Sequence, residues 1–573
     1  MSKLLFRVAS GSFTSLPGNP IAYWLPQQGI DAFATNRLEE VGKTRRGLQT
    51  GAKDRFIRYW HECSNNKCEM QYLPRSEAIV SDAKWFMFNN GGDFKKWYGN
   101  LDLLVNWADN GRELKGFDGS IIPSEDLYFL NAVSWPRLTS GGISFKLHPE
   151  GVIPGDLSPC YYSERTHTEL GYLNSKCLNY FLQAINPTIT SPVGDVAKVP
   201  TPRLGDELEL SVRAKVDRLV EVHKIDWNSY EGSWDFTNQQ LLRSNCHQLK
   251  LQTSYQKIRA IWSDMTIEMQ RLEQENNRIF INAYGLEDEL TPEVPLNEIT
   301  LTCNPHYRFG GDKTEEELEA LLLADTMREF ISYAVGCMFG RYALDKPGLV
   351  LANQGETIED YRRLVPNSRF EADTDNVIPL LDGEWFADDV TERFRQFLRV
   401  TFGDAHYDEN LAFIEQALNP KGKRNFSLRD YMLGEFYTDH VKRYKKRPIY
   451  WLFTSPKGTF NALIYLHRYR PDTASVVLRY LREFRAKLAA RQSTLEQVLI
   501  SPATSQGEKT KAVKEIDSLK KQIIELQDYE SDTLYPLATA NVALDLDDGV
   551  KVNYLKLGAA LKKITGLDAK EED

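Results

Sequence analysis

Between residues 43 and 58 the chain reads Lys-Thr-Arg-Arg-Gly-Leu-Gln-Thr-Gly-Ala-Lys-Asp-Arg-Phe-Ile-Arg, a turn-forming stretch with cations at close intervals. Arg45, Arg46, Lys53, Arg55 and Arg58 supply positive charge, and Gln49 and Thr50 carry groups able to reach phosphate oxygens or base edges. Gly47 and Gly51 bracket a turn at which backbone amides can approach a phosphate, and Asp54 is placed to orient an arginine. The plainer alternative is a solvated basic hairpin with Phe56 in the core. A second candidate is Trp135-Pro-Arg-Leu-Thr-Ser-Gly-Gly. Arg137 can grip a guanine edge in bidentate fashion, and the Thr139 and Ser140 hydroxyls can meet other edges; such contacts discriminate by roughly 1–3 kcal/mol per base pair. Lys146, on the strand that follows, is a weaker addition; the competing reading is a strand end with a tight turn.

A third concentration of charge lies between Val441 and Arg491, where 13 basic residues face only Asp472 and Glu483. Lys442, Arg443, Lys445, Lys446 and Arg447 open it and suit phosphates gripped without regard to sequence. Trp451, Phe453, Phe460 and Tyr465 are interleaved, and Arg479, Arg482, Arg485 and Lys487 follow on a predicted helix. The alternative is that this island docks on the acidic surface of its own chain. Two further groups carry less. Asn304-Pro-His-Tyr307 approaches the amino-methyltransferase tetrapeptide Asn/Asp-Pro-Pro-Tyr/Phe, but His306 replaces the second proline and no strand with a Gly-x-Gly turn precedes it. A turn before the next helix is expected there. His61, Cys63 and Cys68 offer at most three metal ligands where structural zinc takes four. No catalytic residue, bound cofactor or metal is therefore expected in this chain.

The elements that must position these groups follow from hydrophobic periodicity. Up to about Pro202 short strand-like runs alternate with Gly/Asn/Pro turns, as in Trp85-Phe-Met-Phe and Gly142-Ile-Ser-Phe-Lys-Leu. An amphipathic helix is predicted from Leu170 to Ile185, ended by Asn186-Pro187, with an extended run from Val193 to Val199. Long helices are predicted from Glu207 to Ile225 and from Gln248 to Tyr284, with a stop at Gly285. Thr314-Glu-Glu-Glu starts another, running to about Tyr342. Residues 380–500 read as mostly helical, a helical hairpin surrounds Pro502-Ala-Thr-Ser-Gln-Gly, and 543–554 reads as a β-like turn before a last helix. The fold class is thus α+β: an N-terminal α+β domain (1–205), spacer helices and a linker (206–300), and a mainly helical C-terminal domain (301–573) with the basic patch 441–491.

Composition sets outer limits. A chain of 573 residues is too long for one core. No apolar run of about 18 residues indicates a membrane span, and the N-terminus lacks a secretory signal. Seven scattered cysteines fit reduced thiols and a cytoplasmic location. The net charge of −10 is uneven: residues 1–200 hold 21 Lys/Arg against 20 Asp/Glu, leaving 49 against 60 in the rest. Local charge, screened over about 8 Å, governs phosphate attraction.

In the order of its motifs the chain resembles the C-terminal half of the PglX family, adenine-specific DNA methyltransferases of BREX phage-defence systems. The resemblance rests on Pro17-Gly-Asn-Pro-Ile-Ala-Tyr-Trp, on Arg45-x-Gly-Leu-x-Thr-Gly-x-x-x-Arg-Phe56, and on the Asn186-Pro187 break with the Gly194-Asp195 turn. It extends through Ala283-Tyr-Gly-Leu-Glu-Asp-Glu-Leu-Thr-Pro, Lys446-Arg-Pro-Ile-Tyr-Trp and Asp547-Asp-Gly-Val-Lys-Val-Asn-Tyr. It implies a target-recognition domain that grips double-stranded DNA and selects a site. S-adenosylmethionine and methyl transfer to adenine N6 would belong to an N-terminal methylase half outside this sequence. Implied partners are that half, other BREX components and a DNA-mimicking phage inhibitor, with no membrane. Two alternatives stand beside this reading: a protein-interaction scaffold of a defence complex, and the specificity half of a fused restriction–modification enzyme.

Overall fold

A computed structural model describes residues 16–138, 142–186, 188 and 190–568. Helices and three small sheets mix in an α+β arrangement. The first nine strands are β1 (Lys43–Arg45), β2 (Ile57–Tyr59), β3 (Cys68–Glu69), β4 (Trp85–Asn89), β5 (Leu103–Asn106), β6 (Ala132–Ser134), β7 (Lys146–His148), β8 (Ile153–Pro154) and β9 (Cys160–Tyr162). They form a sheet ordered β1-β9-β6-β7 and a second ordered β2-β5-β4-β3, with β8 also paired to β4. Every residue of β4 is buried because the strand has a core on each face. Trp85 and Met87 point into the main core, while Phe86 and Phe88 point into a smaller one with Phe56, Val105 and Phe129. This is the period-two alternation of a strand covered on both sides.

The long helices are those the sequence signals. Asp206–Trp227 opens with Asp206, Glu207 and Glu209 in its first turn, where carboxylates complement the helix dipole. Leu251–Tyr284 runs 34 residues, roughly 50 Å at 1.5 Å per residue, and stops at left-handed Gly285. Both pack on Thr166–Leu173 at Gly171, where a Cβ would lie 2.9 Å from Asn276, Val212 and Val216. Only glycine permits that approach. A reciprocal capping box between Thr314 and Glu317 starts Glu315–Met338. One contiguous buried core runs from Leu16 to Tyr465 and crosses both expected boundaries, at 205 and at 300.

Four expectations are corrected, the last of them at the C-terminal tail. The predicted helix 170–185 is two helices, Thr166–Leu173 and Lys176–Ile185, divided at Asn174-Ser175. The run from Val193 is a short helix, Val193–Ala197, rather than a strand. Residues 380–500 contain a hairpin, β11 (Tyr450–Thr454) and β12 (Asn461–Tyr465), joined to β10 (Ile378–Pro379) in a third sheet. That sheet divides two cores: Tyr450, Leu452, Leu463 and Tyr465 face the main one, and Trp451, Phe453, Ala462 and Ile464 face a C-terminal one. The C-terminal core is completed by the antiparallel pair Thr473–Ile500 and Gln506–Tyr529, the expected helical hairpin.

The segment 543–554 is helical rather than β-like, with Leu546–Asp548 as one tight turn leading into Gly549–Lys556. It closes back on the second N-terminal sheet. Asp547 accepts hydrogen bonds from Lys67 Nζ and Lys84 Nζ, both at 2.9 Å, and from Trp85 Nε1 at 3.1 Å. Burial would raise the Asp547 pKa, but Lys67, Trp85 and Lys84 together hold this carboxyl below its usual range. Glu62 accepts the Val550 amide at 2.7 Å, and Lys551 pairs with Asp54 at 2.7 Å. Among the described residues no helix is long and apolar enough to cross a membrane.

Candidate nucleic-acid interface

The segment 43–58 starts as an edge strand. Thr44 is buried while Lys43 and Arg45 face out, and β1 pairs antiparallel with β9. The chain then lies against its own backbone: Leu48 N donates to Pro154 O at 2.7 Å, and Gln49 and Ile121 exchange both amide hydrogen bonds. The glycines serve this packing. A Cβ on Gly47 would meet Pro154 O at 2.3 Å, and one on Gly51, at φ +68, would meet Gly119 O at 2.1 Å. The close approach expected of a phosphate is thus made to residues 119 and 154.

Arg46 and Arg137, from two separately identified motifs, meet on one carboxylate. Arg46 Nε and Nη2 lie 2.7 and 2.6 Å from Asp156 Oδ1, and Arg137 Nη1 lies 3.0 Å from Asp156 Oδ2. Asp156 is largely covered, at 14%, whereas the arginines keep 48% and 34% of their side-chain surface. Two guanidiniums sharing one carboxylate leave a positive charge uncompensated, held in fixed orientation. The 135–138 strap is itself fixed by Trp135 Nε1 donating to Ser191 O at 2.9 Å and Ser191 N donating to Arg137 O at 3.2 Å. Asn186 in turn donates to Asp195 at 2.7 Å, giving the break after the preceding helix its structural task. Thr139 and Ser140 lie outside the described residues.

The other candidates divide by direction. Arg45 is exposed, and its side chain donates to its neighbour's carbonyl, Thr44 O, at 2.8 Å. Arg55 is 54% exposed, paired with Glu113 and stacked on Phe56 and Phe117. Gln49 and Lys53 are half-buried, and Thr50 is buried. Arg58 points inward: it donates to Asp54 O, Ile57 O and Asp547 O and lies over Trp85. Its task is to bind the returning tail, not to face solvent. Lys146 is also internal, with Nζ donating to Gly91 O at 3.2 Å, and burial pushes its pKa down to about 7 against the pull of Asp102. Neither presents a cation at the surface in this conformation.

The basic island splits in two. Arg443 is mostly covered beside Glu329 at 3.7 Å, and Arg447 is 9% exposed. Arg468 is buried on Phe339 O and Asp373 O. Arg479 pairs with Asp375, Arg482 and Arg485 with Glu530, and Arg491 with Glu515, so this half braces the helical hairpin. Lys442, Lys445 and Lys446 differ. They line a groove of about 530 Å³ together with Lys562 and Lys563, over an apolar floor that includes Val441 and Ile564. Sequence reading missed Lys562 and Lys563; their only signal is a lysine pair between Leu561 and Ile564. A smaller cavity of about 270 Å³ mixes Lys53, Arg58, Arg447 and Lys551 with Asp54, Glu62 and Asp548, and Tyr59 on its wall has its ring 5.6 Å from Lys445 Nζ.

The remaining constellations have structural tasks. Asn304 is buried, donates to Leu296 O and Ile299 O, and caps the short helix Pro305–Phe309, while Tyr307 Oη donates to Phe94 O. His61 Nε2 donates to Arg447 O at 3.1 Å, and burial pushes its imidazole pKa well below the ordinary value. Cys68 Sγ donates to Ser64 O.

No protein-family model matches the chain. The adenine-specific methyltransferase BrxX of Escherichia coli O9:H4 (strain HS) is 34% identical over 580 residues, spanning 97% of this chain and 46% of that protein. The adenine-specific methyltransferase PglX of Lacticaseibacillus casei (strain Zhang) is 32% identical over 585 residues, spanning 98% of this chain and 46% of that protein. The chain therefore spans a little under half the length of each of these relatives. Along almost its entire length it is homologous to the PglX/BrxX adenine-specific methyltransferases.

Proposed function

We propose that this chain is the DNA-recognition part of a PglX-like adenine-specific DNA methyltransferase in BREX phage defence, corresponding to the C-terminal half of such enzymes. It grips double-stranded DNA and selects the site. Methyl transfer from S-adenosylmethionine to adenine N6 is assigned to the part of the relatives that this chain does not cover. The observation that carries the reading is the convergence of Arg46 and Arg137 on Asp156, two half-exposed guanidiniums held in register by one covered carboxylate. A pinned pair of this kind suits base-edge readout, where geometry decides, better than loose charge attraction does. Exposed Arg45 and Arg55 flank it as backbone contacts. Other BREX components and a phage inhibitor that imitates DNA would engage this same face.

The test is selection of a randomised duplex library by the purified chain at 50 and 200 mM salt. A reproducible short, asymmetric motif that fades in the Arg46→Ala/Arg137→Ala variant is the expected result. Absence of any enriched motif, with no salt-sensitive retention, refutes the reading. The scaffold alternative draws on one feature, the exposed Leu208, Leu210 and Ile267 on the long helices, at 47, 67 and 59%. It predicts partner capture that survives the double substitution.

A further inference from the structure

We infer that the lysine groove between residues 442–446 and 562–565 is a second nucleic-acid site, one that holds the phosphate backbone of a duplex without reading its sequence. The inference deepens the reading above and rests on it for the nature of the ligand. Five lysines and no carboxylate line the groove. Only Lys445 is neutralised, by Asp102 at 2.5 Å; among the described residues no carboxylate pairs with Lys442, Lys446, Lys562 or Lys563. These four ammoniums are exposed. Like charges brought together this way repel one another, so the arrangement makes sense when a polyanion supplies the missing charge.

The walls are built rather than incidental. Lys445 and Lys446 both adopt left-handed backbone, at φ +49 and +61, a conformation uncommon for residues with a side chain. Lys446 N bonds Val441 O at 2.8 Å, which fixes that turn. The opposite wall is fixed by Lys562 N donating to Leu452 O at 2.8 Å. Lys446 spans the gap: its Nζ lies 3.4 Å from where a Cβ on Gly566 would stand. Two segments more than a hundred residues apart in sequence thus converge on one cationic trough.

The choice of residue indicates the mode of binding. An ammonium is a mobile point charge suited to phosphates, whereas base recognition uses the planar fork of arginine. The choice between a nucleic-acid backbone and an acidic protein follows from what lies beside the groove. Lys445 Nζ, on the groove wall, lies 5.6 Å from the ring of Tyr59, the residue that directly follows the recognition segment 43–58.

The experiment measures binding of a scrambled 20-base-pair duplex, and of poly-glutamate of equal charge, by wild type and by Lys442→Gln/Lys562→Gln/Lys563→Gln. These side chains are solvent-exposed, and a circular dichroism melt verifies that the variant stays folded. The expected result is about tenfold or greater loss of duplex affinity at 50 mM salt. The slope of log K against log salt should become shallower by about 0.9 for each phosphate contact removed. Unchanged duplex affinity and slope overturn the inference, as does lysine-dependent binding of poly-glutamate alone. The two proposals fail separately. Loss of the lysine effect with a surviving library motif removes only the groove, and the reverse removes only sequence recognition.

Discussion

The arginine face and the lysine groove are both basic, yet the chain treats their charges in opposite ways. Arg46 and Arg137 are tied to Asp156 and Arg55 to Glu113, whereas four of the five groove lysines have no acidic tie among the described residues. Pinning lowers net charge and weakens long-range attraction, but the side chains lose their rotational freedom at folding rather than at binding. Leaving lysines untied keeps the full attraction and gives up geometry. The difference teaches that a count of basic residues says little about function; the number of carboxylates arranged beneath them says more. By that measure the arginines at 479–491, all tied to acids with Arg482 and Arg485 sharing Glu530, brace the helical hairpin and belong to neither region.

The comparison is broken most severely by Asp156→Ala. Releasing both arginines should cost roughly tenfold to a hundredfold in discrimination per contacted base pair, about 1–3 kcal/mol. Affinity for a scrambled duplex should hold or rise with the added positive charge. Titration of matched and scrambled duplexes reads both, and retained discrimination would show that pinning by Asp156 is not what separates the arginine face from the groove.

Next in size is Asp547→Asn, which strips the tail anchor of its charge. Hydrogen bonds to charged groups contribute about 1.5–3 kcal/mol, so a loss of about 2 kcal/mol at pH 7 is expected in denaturant melts. Because the folded carboxyl lies below its ordinary pKa, the stabilisation is complete above the unfolded value near 3.9. It drains away as pH falls through the lower folded value. The gap between wild type and variant should therefore close only in that acid range. Constancy of the gap down to pH 2 would contradict the assignment.

Lys146→Met sharpens the comparison from inside. The folded pKa of about 7 lies below the unfolded value near 10.4, so the charge penalty is absent above the latter, grows as pH falls between the two, and is constant below 7. The variant should gain on the order of 1–3 kcal/mol at pH 6, allowing for the lost bond to Gly91 O, and nothing near pH 10.5. Its duplex binding should match wild type; a weakened complex would mean that Lys146 emerges to meet the ligand. The smallest effect is expected for Arg491→Ala, an exposed pair with Glu515, at about 0.5 kcal/mol or less with unaltered binding.

What could be read from the sequence was what local chemistry encodes. The Thr314 capping box, the Gly285 stop and the two helices around Pro502 are signalled within a few residues of where they act. The hairpin at 450–465 was not legible because Tyr450-Trp-Leu-Phe is a continuous apolar run, and a strand buried on both faces has no alternation that separates it from a buried helix. Arg46 and Arg137 were visible singly, but their shared carboxylate was not: Asp156 lies 110 residues from Arg46, and no local pattern marks it. Lys562 and Lys563 were missed for the same reason. Arg58 and Lys146 are marked in the sequence by charge alone, and the internal partners that turn them inward, Asp547 O and Gly91 O, are supplied only by the fold.

The Asp547 anchor also bears on how the molecule is made. Lys67 and its partner are 480 residues apart, so at roughly 5–20 residues per second a ribosome takes about half a minute to a minute and a half to deliver the acid after the base. During that interval Lys67 and Lys84 lack their carboxylate, just as Asp54 lacks Lys551 and Glu62 lacks the Val550 amide. A nascent chain thus carries loose charges of both signs at this edge, and the late arrival of one short segment ties them down together.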